Sequence, residues 1–225
     1  STVHIPSSYA AVDGSQAVIS EVHGGGGNSG ATYTHDFVEL YNPTDEPISV
    51  DGYAVEYFSA GGNSGGKVTL KGTIAPGGYY LVQGSAGNGG AKALPSPDAE
   101  GGLNMSGSKG SVKLFDASGA DIDTVGYGTA SIFEGSPVSG HNASNSVQRD
   151  ATGTDTDNNS ADFTADAPTP QNSGATGTPT DPTEPDPTEP TDPEAITPIA
   201  DIQGTGATSP LDGKNVTTIG EVTAC

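Results

Sequence analysis

The stretch DTDNNSAD, residues 155 to 162, sets Asp155, Asp157 and Asn159 at alternate positions with Asp162 close behind. Carboxylate and amide oxygens spaced in this way can wrap a hard cation, and Ca²⁺ takes such oxygens at about 2.4 Å. The pattern departs from the calcium-loop motif twice: Ser160 stands at the sixth position in place of glycine, and Asp166 at the twelfth in place of a bidentate glutamate. Asp155, Asp157, Asn159 and Asp162 are the candidate calcium ligands, and an Asx-rich turn before the last strand is the plain alternative.

Glu21 and Glu39 raise a second question, since each falls inside a strand-like run. If those strands are neighbours, the two carboxylates share a face and need a cation, a backbone donor or a basic side chain beside them; a solvated outer face would serve equally. Paired carboxylates can do acid–base chemistry at a glycosidic bond, but no aromatic-lined cleft accompanies these two. GGGGNSG (24–30) has the G-x-G-x-x-G order after a strand, yet THDFVELYN reads as a strand and not as the helix a pyrophosphate site requires. GNSGG (62–66) lacks the histidine and aspartate motifs of a serine protease and reads as a hairpin loop. His4, His23, His35 and His141 are scattered singly, with no zinc-ligand spacing. No catalytic residue is nominated.

The elements that must position these residues are short strands. AVISEV (17–22), DFVELYN (36–42), ISV, GYAVEYF, KVTLK (67–71), GYYLVQ (78–83), SVKLF (111–115), DIDTVGY (121–127), NSVQR and ADFT alternate apolar and polar residues between Gly-, Pro- and Asp-rich turns. Alternation puts Val38 and Leu40 on one face, with Phe37, Glu39 and Tyr41 on the other, and gives Tyr53, Val55 and Tyr57 a common face. DASG (116–119) is of hairpin length, so SVKLF and DIDTVGY are expected to pair antiparallel. The fold class is all-β, a two-sheet sandwich or a barrel.

Composition agrees, with 34 Gly, 17 Pro and no Trp in 225 residues. Twenty-eight acidic residues against seven basic give a net charge of −21, which repels polyphosphate, so no direct nucleic-acid binding is expected from this region. The charge suits a protein at work outside the cell. No apolar run is long enough to span a membrane, and a signal peptide, if the protein has one, is expected to be gone already. Cys225 has no second cysteine to pair with in the sequence, so its partner is expected beyond it.

The blocks VISEVHGGGGNSGATYTHDFVELYNPTDEPISVDGYAVEYFSAGG, IAPGGYYLVQGSAG, LPSPDAEGGLNMSGSKGSVKLF, DTVGYGTASIFEGSP and SVQRDATGTDTDNNSADFTADAPTPQNS together resemble the bacterial lamin-tail domain, over residues 16–173. The resemblance implies an immunoglobulin-like β-sandwich with no catalytic residues of its own, joined in secreted bacterial proteins to hydrolases. Many relatives carry two cysteines, near the GYGTA block and before DTDNN; this sequence has neither, so packing must hold the last loops without a bridge. IADIQGTGATSPLDGKNVTTIGEVTA further resembles the opening of the segment that follows this domain in extracellular nucleases of the endonuclease/exonuclease/phosphatase superfamily. A divalent metal is then expected only in a downstream catalytic domain.

The expected organisation is an N-terminal extension (1–15), the sandwich (16–173), an acidic Pro-rich linker (174–195) and the opening strands of a second, truncated domain (196–225). In polyproline II form some 20 linker residues reach on the order of 60 Å. The functional expectation is a non-catalytic module of a secreted multidomain nuclease, of which this sequence is an N-terminal fragment. Its partner is a surface, a protein ligand or its own catalytic domain. The alternatives are a surface-adhesion or calcium-stabilised scaffold with no enzyme attached, and a sandwich that is itself a hydrolase.

Overall fold

A computed structural model describes residues 16–175. The N-terminal extension, nearly all of the Pro-rich linker, the 196–225 segment and Cys225 lie outside the described residues. Within them the chain forms β1 (Val18–His23), β2 (His35–Tyr41), β3 (Ile48–Ser49), β4 (Ala54–Phe58), β5 (Ser64–Thr69), β6 (Thr73–Ile74), β7 (Tyr79–Ala86) and β8 (Ala99–Glu100). It continues with β9 (Gly110–Phe115), β10 (Asp121–Tyr127), β11 (Ser146–Arg149), a single helical turn α1 (Asn159–Asp162) and β12 (Phe163–Asp166).

A six-stranded sheet runs β12-β11-β1-β2-β7-β8 and a four-stranded sheet runs β10-β9-β4-β5, with β3 and β6 forming a separate short ribbon. Their apolar faces merge in one core: Ile19, Val22, Val38, Leu40, Val82 and Val147 come from the first sheet, and Val55, Tyr57, Val112, Leu114, Val125 and Tyr127 from the second. This is the two-layer sandwich of an immunoglobulin-like fold. As the alternation requires, Val38 and Leu40 point into the core, and β9 pairs antiparallel with β10 across the DASG turn.

The six-stranded sheet is covered on its other face too. Phe37 and Leu81 are fully buried there although they alternate with core residues, and Glu21 and Glu39 are only 2% and 3% exposed. Part of the cover is residues 167–173, which cross the sheet after β12, bonded to Glu21, Glu39 and Asp98.

Candidate functional site

Asp123 lies on β10 in phase with Val125 and Tyr127, and Arg149 ends β11 in phase with Val147, so both charges point between the sheets. They meet there. Arg149 Nη2 donates to both carboxylate oxygens of Asp123 at 3.1 Å, Nη1 donates to the Thr154 carbonyl and faces Asp155 at 3.2 Å and Asp162 at 3.5 Å, and Nε donates to the Ile19 carbonyl. Asp123 also accepts the Ile19 amide at 2.6 Å. Phe163 stacks on the guanidinium, with its centroid 4.5 Å from the central carbon. Burial pushes the Asp123 carboxyl up to about 6 against the pull of Arg149, which leaves it ionised at neutral pH. Burial also opposes the charge on Arg149, but Asp123, Asp155 and Asp162 outweigh it and raise the guanidinium further.

The loops on either side supply more acid. Glu134 follows β10 and accepts the Thr124 amide at 3.1 Å, while burial first and the charges of Asp123 and Asp155 next push its carboxyl up to about 9. Carboxylate oxygens of Asp123, Glu134 and Asp155 lie within 4.8 Å of one another, and among the described residues this is the group that brings three potential metal ligands together. Asp157 sits beside them at a positive φ of 53°, and its carboxyl is raised by burial, then by Asp155 and Asp162. Asp155 Oδ2 and Asp157 Oδ1 are shut away from solvent with no hydrogen-bond donor.

Of the four residues singled out by spacing, the structure therefore brings Asp155 and Asp157 to undonated positions and commits the other two elsewhere. Asp162 accepts from the Thr156 amide and hydroxyl and forms part of the Arg149 network. Asn159 is fully buried, with its side-chain carbonyl accepting the Gly126 and Glu134 amides and its NH₂ donating to the Thr124 carbonyl. Asn159 and Arg149 hold together the last loops, which carry no disulfide. Asp123, Glu134 and Arg149 escaped the sequence reading; the available signal was a charge standing in the apolar phase of its strand, as Asp123 and Arg149 do.

The paired glutamates lie elsewhere on the sandwich. Glu21 and Glu39 are direct cross-strand partners on β1 and β2. Every one of their carboxylate oxygens has a donor: Ser146 Oγ and the Thr169 amide serve Glu21 Oε1, Thr169 Oγ1 serves Oε2, Ser20 Oγ serves Glu39 Oε1 and the Gln171 amide serves Oε2. Burial, opposed by these bonds, raises Glu21; burial above all, with the Glu21 charge beside it, pushes Glu39 up to about 8. The cleft beside the pair holds about 190 Å³, less than the roughly 300 Å³ at which small-molecule sites begin. Contrary to the expectation that no aromatic-lined cleft accompanies the pair, Tyr41 and Tyr79 line it.

The remaining motifs resolve into structure. The glycine run 24–30 leads into β2, and its Gly25 and Gly26 amides both donate to Asp36 Oδ1 at 2.7 and 2.8 Å, so its own carboxylate occupies the place a phosphate would take. A Cβ on Gly26 would fall 1.9 Å from the His35 carbonyl oxygen, which is why a glycine is needed there. Ser64 of GNSGG starts β5 and donates to Glu56. His23 and His141 are buried with ring centroids 6.2 Å apart, and burial lowers both, His141 to about 4. Both are neutral, and His141 accepts the Gly24 amide.

A family model described as Lamin Tail Domain matches residues 11–129, more than half of the chain. β11 and β12, which complete the six-stranded sheet, fall beyond the matched residues. Among solved structures, a DUF4876 family protein from Bacteroides thetaiotaomicron is similar at 13% identity over 67% of this chain and 70% of that one, with a TM-score of 0.44. That likeness is too weak to bear on the fold. No curated protein matches the chain. Among the described residues no helix is long and apolar enough to cross a membrane.

Proposed function

The chain belongs to the lamin tail domain family, a non-catalytic Ig-like module, and from that premise we propose that it serves as the binding and positioning module of a secreted multidomain nuclease. The observation that carries this reading is the strap of residues 167–173. Glu21, Glu39 and Asp98 fix it to the sheet through the Thr169, Gln171 and Ser173 amides, so the chain is held against the sandwich at defined points just before the Pro-rich sequence. The sequence that follows is rich in Pro, Thr, Asp and Glu and gives way to IADIQGTGATSPLDGKNVTTIGEVTA, which resembles the opening of the segment that follows this domain in extracellular nucleases. A module joined in this way raises the effective concentration of whatever follows it near the surface or protein that the module holds.

The reading frame beyond Cys225 tests the nuclease part: a frame that continues without the acid and histidine motifs of that superfamily rejects it. The module part is tested with the 225-residue chain, which should release no nucleotide from DNA with Mg²⁺ or Ca²⁺ present. Measurable turnover would restore the hydrolase reading. A calcium-stabilised scaffold with no enzyme attached is the second reading, favoured by the undonated oxygens of Asp155 and Asp157.

A further inference from the structure

Acid outnumbers base around Arg149. Asp123, Glu134, Asp155, Asp157 and Asp162 surround one guanidinium, whose nitrogens are already engaged by Asp123, Asp155, Asp162 and the carbonyls of Ile19 and Thr154. The guanidinium therefore cannot answer the remaining oxygens. Asp155 is 8% exposed, and its Oδ2 has no donor, nor has Asp157 Oδ1. A buried carboxylate oxygen without a donor costs free energy unless something cationic faces it.

We propose that Asp123, Glu134, Asp155 and Asp157 form a Ca²⁺ site beside Arg149, bridging β10, the loop after it and the loop after β11. The spacing suits the ion. Oxygens of the first three residues lie no more than 4.8 Å apart, within the widest separation that two ligands about 2.4 Å from one ion can have. An all-oxygen carboxylate set selects hard cations over zinc or copper. Its irregular placement, on a strand and two loops, suits Ca²⁺ better than Mg²⁺, which demands near-ideal octahedral geometry at about 2.0–2.1 Å and keeps its waters. The set differs from a ligand run read along DTDNNSAD: Asn159 turns its side-chain oxygen to the Gly126 and Glu134 amides and Asp162 turns to Thr156, while Asp123 and Glu134, which also accept the Ile19 and Thr124 amides, come from distant parts of the chain. It holds whether or not an enzyme follows the Pro-rich stretch.

The test uses the 225-residue chain stripped with chelator in 0.15 M salt, where diffuse screening of its surface charge is saturated. Calorimetric titration with CaCl₂ should show one equivalent bound, and free Ca²⁺ at a hundred times Kd should raise Tm by about 5–10 °C. The double variant Glu134→Gln, Asp157→Asn should bind at least ten-fold more weakly and lose the shift. Asparagine accepts a positive φ, and the glutamine amide oxygen can keep the contact that Glu134 makes with the Thr124 amide, so this variant should fold without metal. Absence of binding at millimolar Ca²⁺, an equal shift with MgCl₂, or an undiminished shift in the double variant would each overturn the site. If the variant fails to fold, the wild-type titration with Ca²⁺ against Mg²⁺ decides alone.

Discussion

Two sets of buried carboxylates sit in one sandwich and are held in opposite ways. Around Arg149, Asp123, Asp155 and Asp162 lie at the inner edge of the core and face a cation: the guanidinium meets Asp123 in two bonds of 3.1 Å and reaches Asp155 and Asp162. On the outer face, Glu21 and Glu39 are as deeply buried but face hydroxyls and backbone amides, with no basic side chain among their hydrogen-bond partners. Neutral donors stabilise a carboxylate less than a cation does. The first set should therefore answer to loss or gain of cations, and the second to pH.

Removing the cation should have the largest effect. Arg149→Met keeps an unbranched side chain but removes the guanidinium that stacks on Phe163, and leaves Asp123, Asp155 and Asp162 without their cation. Breaking a buried pair from one side costs about 3–5 kcal/mol, a large part of the ~5–15 kcal/mol that holds an ordinary domain. Urea unfolding in chelator should show a loss of at least ~3 kcal/mol. A variant that unfolds at the wild-type midpoint would erase the contrast between the two sets.

Next in size is the pH response of the outer pair. Glu39 sits at about 8 where an ordinary glutamate sits near 4.5, and Glu21 moves in the same direction. The folded protein thus holds a proton that the unfolded chain has released. This contribution to stability is complete below pH 4.5 and is lost as pH rises through about 8. The slope in that window is at most ~1.4 kcal/mol per pH unit for one group. Glu39→Gln can accept the Gln171 amide and donate to Ser20 without titrating, so it should flatten the slope of stability between pH 5 and 8 and be the more stable protein at pH 9. An unchanged slope would mean that Glu39 is ionised throughout and that amides alone suffice.

What could be read in the sequence follows the range of each signal. DIDTVGY became β10 with the boundaries predicted, because turns flank it, although the register shifts between Asp121 and Asp123 and the charge of Asp123 falls in phase with Val125 and Tyr127. β5 begins at Ser64, ahead of the run KVTLK, since Gly65 and Gly66 look like loop but are strand residues. A Cβ on Gly65 would come 2.5 Å from the Tyr57 ring, so packing chose the glycine. β8 and α1 gave no local period at all, and β8 exists only by pairing in parallel with β7. The same holds for the sites. The acids of DTDNNSAD stand out by spacing, and Glu21 and Glu39 by falling inside strands. That Asp123 and Glu134 join Asp155, and that Thr169 and Gln171 close over the glutamates, depends on contacts across as many as 148 positions of sequence, which no window contains.

The smallest effect belongs to the outer end of the strap, and it separates local from global stability. Asp98 accepts the Leu81 and Ser173 amides and the Ser173 hydroxyl at the sheet edge beside β8, in partial contact with water. Bonds there contribute about 1 kcal/mol, and local opening of a terminal segment does not require the core to open. Asp98→Ala should leave the urea midpoint nearly unchanged while speeding hydrogen exchange at the Ser173 amide about ten-fold. Exchange at the Gln171 amide should change less, because Glu39 holds it from beneath at 2.7 Å. If both amides speed up together, the strap is one cooperative unit fixed at its far end. The protonation state of the glutamates would then matter less to the hold on the strap than the Asp98 carboxylate.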